Sequence, residues 1–135
     1  MAENTFGYES FLSPFTWRYG SPEMRSLWSE MHRRLLWRRI WCALAEAQAE
    51  VGLVSGEELA DIKAHAEDID MPRALEIEAQ IRHDLMAEVR TFAEQCRVGG
   101  GKIHLGATSM DIVDNADTLR MKDALKLVCQ RLREL

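Results

Sequence analysis

Positive charge is in short supply in this chain. Lysine and arginine together number 17 against 22 aspartates and glutamates, a formal net charge of −5. That balance excludes a global basic field able to grip nucleic acid or an anionic membrane surface. Cysteine is scarce as well. Cys42, Cys96 and Cys129 are odd in number, widely spaced and without a CxxC pair, which excludes a disulfide framework and a zinc knuckle and makes a reducing cytoplasm the expected compartment. No apolar run approaches the roughly 18 residues of a membrane span, and the polar N-terminus lacks a signal peptide's apolar segment. There is no phosphate-cradling GxxxxGK or GxGxxG loop, and no serine or cysteine nucleophile stands with a recognisable base. His32 and His65 have no companions at metal-ligand spacing, so both are expected at the surface and no metal site is expected.

What remains is a chain of 135 residues, 47% hydrophobic and 29% charged, long enough for one domain with a real core. Strand-like alternation, repeats and low-complexity segments are missing, whereas helix punctuation recurs. Residues 1–20 read as irregular, broken by Gly7, Pro14 and Gly20. Ser21-Pro22 is an N-cap followed by proline at the first helical position. A long helix is predicted from about Ser29 to Val51, stopped at Gly52, with Leu36, Ile40, Leu44, Ala47 and Val51 on one stripe and Trp37 and Trp41 on its flank. Ser55 to Glu58 has capping-box form. Asp70 caps a helix running towards Gln80, and Asp84 can cap another over Leu85 to about Cys96. Gly99 to Gly101 reads as a flexible loop. Ser109 is the expected N-cap of a final helix carrying Ile112, Ala116, Leu119, Ala124, Val128 and Leu132. The fold class expected is all-α. The last helix reaches Leu135 still apolar and without a stop signal, which predicts a fragment of a longer protein whose apolar stripe self-associates.

Three segments carry chemistry. In HLGATSMDIVDN, His104 to Asn115, hydroxyls and free N–H groups meet at a helix start, with Asp111 in the first turn; such a terminus is a ready anion site and equally a plain cap. Arg82-His83-Asp84 places an imidazole between a guanidinium and a carboxylate, suited to orienting a ring beside an anion or to an exposed junction. Arg18-Tyr19, just before a capped helix, offers a guanidinium fork and a phenol suited to phosphate, or to surface packing. Arg33, Arg34, Arg38 and Arg39 interleave with Trp37 and Trp41, a pattern met on nucleic-acid surfaces. Because Arg34, Arg38 and Arg39 project from the apolar stripe, they are expected in solvent instead.

In order, WRYGSPEM (Trp17 to Met24), RHDLMAEV (Arg82 to Val89) and HLGATSMDIVDN resemble the N-terminal part of the adenylosuccinate lyase family, within the fumarase/aspartase superfamily. The resemblance extends along nearly the whole chain, including the Trp-rich helix and ALAEAQAEVGL. It implies a small helical first domain over 1–108 and the start of a long-helix bundle over 109–135. It implies anti β-elimination that releases fumarate from adenylosuccinate, giving AMP, and from the succinyl-aminoimidazole-carboxamide ribotide of purine synthesis. No cofactor is implied. By position, Arg18 and Tyr19 match substrate contacts near the phosphate, Arg82, His83 and Asp84 a second substrate-binding segment with His83 close to the reacting centre, and Thr108 and Ser109 the pair touching the succinyl part. The family assembles each pocket from three subunits of a homotetramer, so these residues need not share one pocket. The family's general-acid histidine and loop serine have no counterpart among the 135 residues, and His83, at most an auxiliary, cannot replace both. No catalytic residue is therefore expected in the chain as given. A stand-alone helical nucleotide-binding or interaction module without catalysis is the competing reading.

Overall fold

The computed structural model describes residues 8, 9, 11, 13 and 15–135, with the backbone alone at Trp17. Gly7 and Pro14, two of the expected breakers, lie outside the described residues. Among the described residues every regular element is helical: α1 Thr16–Tyr19, α2 Pro22–Leu27, α3 Glu30–Glu50, α4 Gly56–Ala64, α5 Met71–Ile81, α6 Asp84–Gln95, a 3-10 turn over Gly100–Lys102, and α7 Ser109–Arg133. The all-α expectation holds. No helix among the described residues is long and apolar enough to cross a membrane.

The caps explain most of the boundaries. Ser21, Ser29, Ser55 and Asp70 each accept a backbone N–H of the first turn they precede, satisfying donors that a helix start leaves free. At Ser55 the box closes, its own N–H donating to Glu58 Oε2 at 2.7 Å. Gly52, at φ 78°, supplies the left-handed residue after α3. Four expectations about helix starts and turns need correction. Within the supposedly irregular 1–20, Thr16–Tyr19 makes one helical turn, started by Ser13 N–H donating to Thr16 Oγ1 at 2.6 Å. His83, not Asp84, caps α6, because His83 keeps extended backbone while Asp84 is already helical and its Oδ1 accepts from Leu85 N–H at 2.8 Å. Thr108, not Ser109, caps α7 for the same reason, at φ −104° and ψ 165°. The first two glycines of the triplet are packed: a Cβ on Gly99 would run into Glu58 O and one on Gly100 would meet Ala93 O at 2.5 Å, while Gly101 is open.

Helix α5 packs chiefly on α6, and α3 chiefly on α7 with α4 beside it. The core joins Leu36, Trp37, Trp41 and Ala45 of α3 to Ile62, Leu85, Val89, Phe92, Cys96, Ile103, Ile112 and Ala116. The buried face of α3 is therefore rotated from the predicted stripe: Trp37 and Trp41 lie at its centre, while Ala47 and Val51 are exposed. The rotation carries two arginines inward. Arg34 and Arg38 are buried, correcting their expected place in solvent, and both donate to the buried carboxylate of Glu88 on α6, Arg34 Nη1 at 2.9 Å and Arg38 Nε at 2.7 Å. Arg38 also donates to His65 O at 2.7 Å and Gln95 Oε1 at 2.8 Å, with its guanidinium 4.3 Å from the Phe92 ring centroid. Only Arg39 stays in water as expected, 3.7 Å from Glu67. His32 and His65 are both half-buried, not fully at the surface.

Candidate functional site

The corner between α5 and α6 is built by a residue that is costly to bend this way. Arg82 sits at φ 56° without being glycine, and its N–H donates to Glu78 O at 2.8 Å, closing α5. The chain then turns through His83, whose Nδ1 accepts from Met86 N–H at 3.3 Å. Arg82, His83 and Asp84 thereby line one open groove of about 830 Å³, together with Arg33, Leu75, Glu78 and Ala79. Arg33 bonds Glu30 at 2.6 Å, lies 3.7 Å from Asp84 and stacks 4.7 Å above the Trp37 ring. The groove so presents both cations and carboxylates, a lining suited to a polar ligand with more than one kind of group.

The third segment starts at a second strained corner. His104 lies at φ 67°. Its Nδ1 accepts from the Trp41 indole N–H at 3.1 Å, and the two rings meet edge to face with centroids 6.0 Å apart. Burial pulls the His104 pKa below the usual histidine value; Asp111 opposes that shift and His83 adds to it. At the α7 start, the Asp111 carboxylate accepts from Thr108 N–H at 2.8 Å. One donor of this helix terminus is therefore held by the chain's own carboxylate. The Thr108 side chain is exposed and Ser109 half-buried.

The first segment lies elsewhere. Arg18 and Tyr19 are exposed on α1, with the Tyr19 ring 6.1 Å from Phe15. Tyr19 lines a separate pocket of about 580 Å³ with Met24, Leu127, Val128, Arg131 and Leu132. From Ser109 to Val128 the axis of α7 covers about 28 Å at a helical rise of about 1.5 Å per residue. Within one chain, the second segment lines its own groove, the third starts α7, and the first sits at the far end of α7.

Sequence reasoning missed Arg33 and Trp41 as parts of this region, and placed His104 in the third segment without giving it a role. It also missed the Arg34–Glu88–Arg38 seam beneath it. A signal for the seam was present: Arg34 and Arg38 share a helical face with Trp37 and Trp41, and Glu88 falls among Leu85, Val89 and Phe92. Among the described residues no group of three or more histidines, cysteines, aspartates or glutamates is placed to hold a metal ion. The Cys96 thiol is pushed up to about 12, chiefly by burial and then by Asp61, so it stays protonated and unreactive near neutrality.

No protein-family model matches the chain. It is 39% identical over 132 residues to an adenylosuccinate lyase of Methanocaldococcus jannaschii, covering 96% of this chain and 29% of that protein. It is 40% identical over 129 residues to the adenylosuccinate lyase of Saccharomyces cerevisiae, covering 93% of this chain and 27% of the yeast protein. The chain therefore spans under a third of the length of these relatives, at their N-terminal end. Among solved structures, a fumarate lyase from Mesorhizobium sp. BNC1 superposes with a TM-score of 0.70 at 29% identity, covering 82% of this chain and 27% of that one.

Proposed function

We propose, for a chain homologous to the N-terminal part of the adenylosuccinate lyases, that it forms substrate-contacting walls of a carbon–nitrogen lyase. The observation that carries the reading is the Arg82-His83-Asp84 corner, where the left-handed Arg82 turns the three side chains into one open groove with Arg33 and Glu78. In the reaction a base removes a proton next to a carboxylate of the succinyl group and the carbon–nitrogen bond breaks. The electron pair leaves on nitrogen, which an acid protonates, so adenylosuccinate gives AMP and fumarate; the succinyl-aminoimidazole-carboxamide ribotide of purine synthesis reacts in the same way. Extra negative charge gathers on the succinyl carboxylate in between, and donors aimed there lower the barrier.

In this reading Arg82, His83 and Asp84 hold the ligand from the α5–α6 corner, and Thr108 and Ser109 meet the succinyl carboxylates at the positive end of α7. Arg18 and Tyr19, at the far end of α7, serve the phosphate of a different pocket in a homotetramer. Residues 1–108 are the first helical domain and 109–135 the start of the central bundle. A cytoplasmic place in AMP biosynthesis follows, with no cofactor.

By the resemblance, the family's general-acid histidine and loop serine have no counterpart in these 135 residues, so the purified chain is expected to release no fumarate from adenylosuccinate. Amide and imidazole resonances read out binding. AMP and fumarate at millimolar concentration are expected to shift residues 82–84 and 104–109, and Ser109→Ala is expected to weaken the fumarate response. Fumarate production by the chain, or ligand shifts confined to other regions, would overturn the assignment.

A further inference from the structure

The two imidazoles of this region are held in the same way by different donors. His104 Nδ1 faces the indole N–H of Trp41 at 3.1 Å, and His83 Nδ1 faces the backbone N–H of Met86 at 3.3 Å. Neither donor can accept, so each bond requires a lone pair on Nδ1, and the single proton of a neutral ring then resides on Nε2. Among the described residues no acceptor is hydrogen-bonded to either Nδ1. The nearest carboxylate oxygen to His83 Nδ1, Asp84 Oδ1, is 3.9 Å away, beyond hydrogen-bond reach, and accepts from Leu85 N–H at 2.8 Å. Trp41 is itself fixed, 2% exposed and packed against Phe92 with ring centroids 6.2 Å apart, so its N–H direction is set by the core. Among the described residues neither Nε2 has a protein partner, which leaves both free for a ligand.

We propose that Trp41 and the first turn of α6 are positioning groups that hold His104 and His83 each as an Nε2–H donor for ligand oxygens, and that neither ring accepts a proton in the reaction. The inference rests on the proposed function for the identity of the anion, but not for the tautomers. Burial, which disfavours the charged imidazole of His104, agrees with a neutral donor. A ring locked this way has no lone pair on the ligand side, so the proton leaving the succinyl carbon must go to another group. Trp41 acts at one remove: it touches His104, and His104 touches the ligand.

Nitrogen-15 spectra of the imidazole rings of the whole 135-residue chain test this, with His32→Gln and His65→Gln used to assign the four histidines. The expected result is a protonated Nε2 and a bare Nδ1 at both His83 and His104, with a scalar coupling across the bond from Trp41 Nε1 to His104 Nδ1. A proton on Nδ1 of either ring, or absence of the coupling, overturns the lock. In Trp41→Phe, checked for folding by circular dichroism, the His104 tautomers are expected to average while His83 keeps its own; an unchanged His104 also overturns it. If that variant does not fold, the coupling in the natural chain still decides. Inorganic phosphate and fumarate, added separately, are expected to move both Nε2 signals and to separate a phosphate site from a carboxylate site. Locked tautomers with no response to either anion would overturn the donor role and the proposed ligand site, and leave the lock standing.

Discussion

Glu88→Gln keeps the shape of the side chain and removes the carboxylate that both buried arginines share. Arg34 and Arg38 are 1% and 0% exposed, and each donates to a different oxygen of Glu88. Glu78, 3.4 Å from Arg34 Nη2, is partly in solvent and cannot replace it for Arg38. Stranding a buried charge by removing its partner costs about 3–5 kcal/mol, a large part of the roughly 5–15 kcal/mol that holds a domain together. With an unfolding entropy of about 2.1 cal/mol/K per residue, that loss lowers the melting temperature by about 10–18 °C. Urea titration followed by tryptophan fluorescence reads the change close to its source, since Trp37 lies within 5.8 Å of the Arg34 guanidinium. The midpoint is expected to fall with an unchanged slope. Replacing all three residues together, as Arg34→Met, Arg38→Met and Glu88→Leu, is expected to recover most of the loss, because well-packed apolar groups serve about as well as a buried ion cluster. A loss below about 1 kcal/mol for Glu88→Gln would refute the reasoning, showing that the arginines reach water at little cost.

Asp61 takes the N–H groups of Gly99 and Val98, at 2.9 and 2.8 Å, and those two bonds hold its carboxyl below the usual carboxylate range. Its contribution is therefore present above the unfolded carboxylate range and lost as pH falls through its lowered folded value. Asp61→Asn should be less stable than the natural chain at neutral pH, and the gap in urea midpoints should close in acid. Gly99→Ala drives a Cβ to 2.6 Å from Ile62 Cγ1 as well as into Glu58 O, and overpacking of this kind costs about 3 kcal/mol. Gly101→Ala meets nothing within 4 Å and should stay within about 0.5 kcal/mol; equal effects in thermal melts would contradict the packing argument. His32 and His104 both have pKa values lowered mainly by burial. For each, the unfolded chain binds the proton more readily, so stability falls as pH drops below the ordinary histidine value. His32→Gln should flatten part of that fall in melts taken between neutral and mildly acid pH.

Caps and breakers were legible residue by residue because they act locally. Ser21-Pro22, the Ser55–Glu58 box, Asp70 and Gly52 each need only their own neighbours to be satisfied. The one-residue shifts at His83 and Thr108 came from choosing the stronger acceptor by residue type, when the backbone of the preceding residue decides which side chain caps. The rotation of α3 was harder to see, because a hydropathy stripe counts arginine as a surface residue. It inverts when a carboxylate such as Glu88 arrives from a helix some 50 positions later. The Trp41–His104 bond spans 63 positions and leaves no local trace. The family resemblance named His83, Thr108 and Ser109 from motifs, but could not say that Arg18 and Tyr19 lie at the other end of α7.

Arg82 and His104 both occupy left-handed backbone without being glycine. Such a residue costs roughly 1–2 kcal/mol, of which glycine's extra freedom when unfolded would return up to about 1 kcal/mol if it were substituted. A screen that rewards heat resistance alone would therefore be drawn to Arg82→Gly, where an exposed side chain is exchanged for a relaxed corner. A screen that rewards capture of an anion would push the same position back. Breeding this chain as a robust scaffold and breeding it as a receptor would diverge first at that corner.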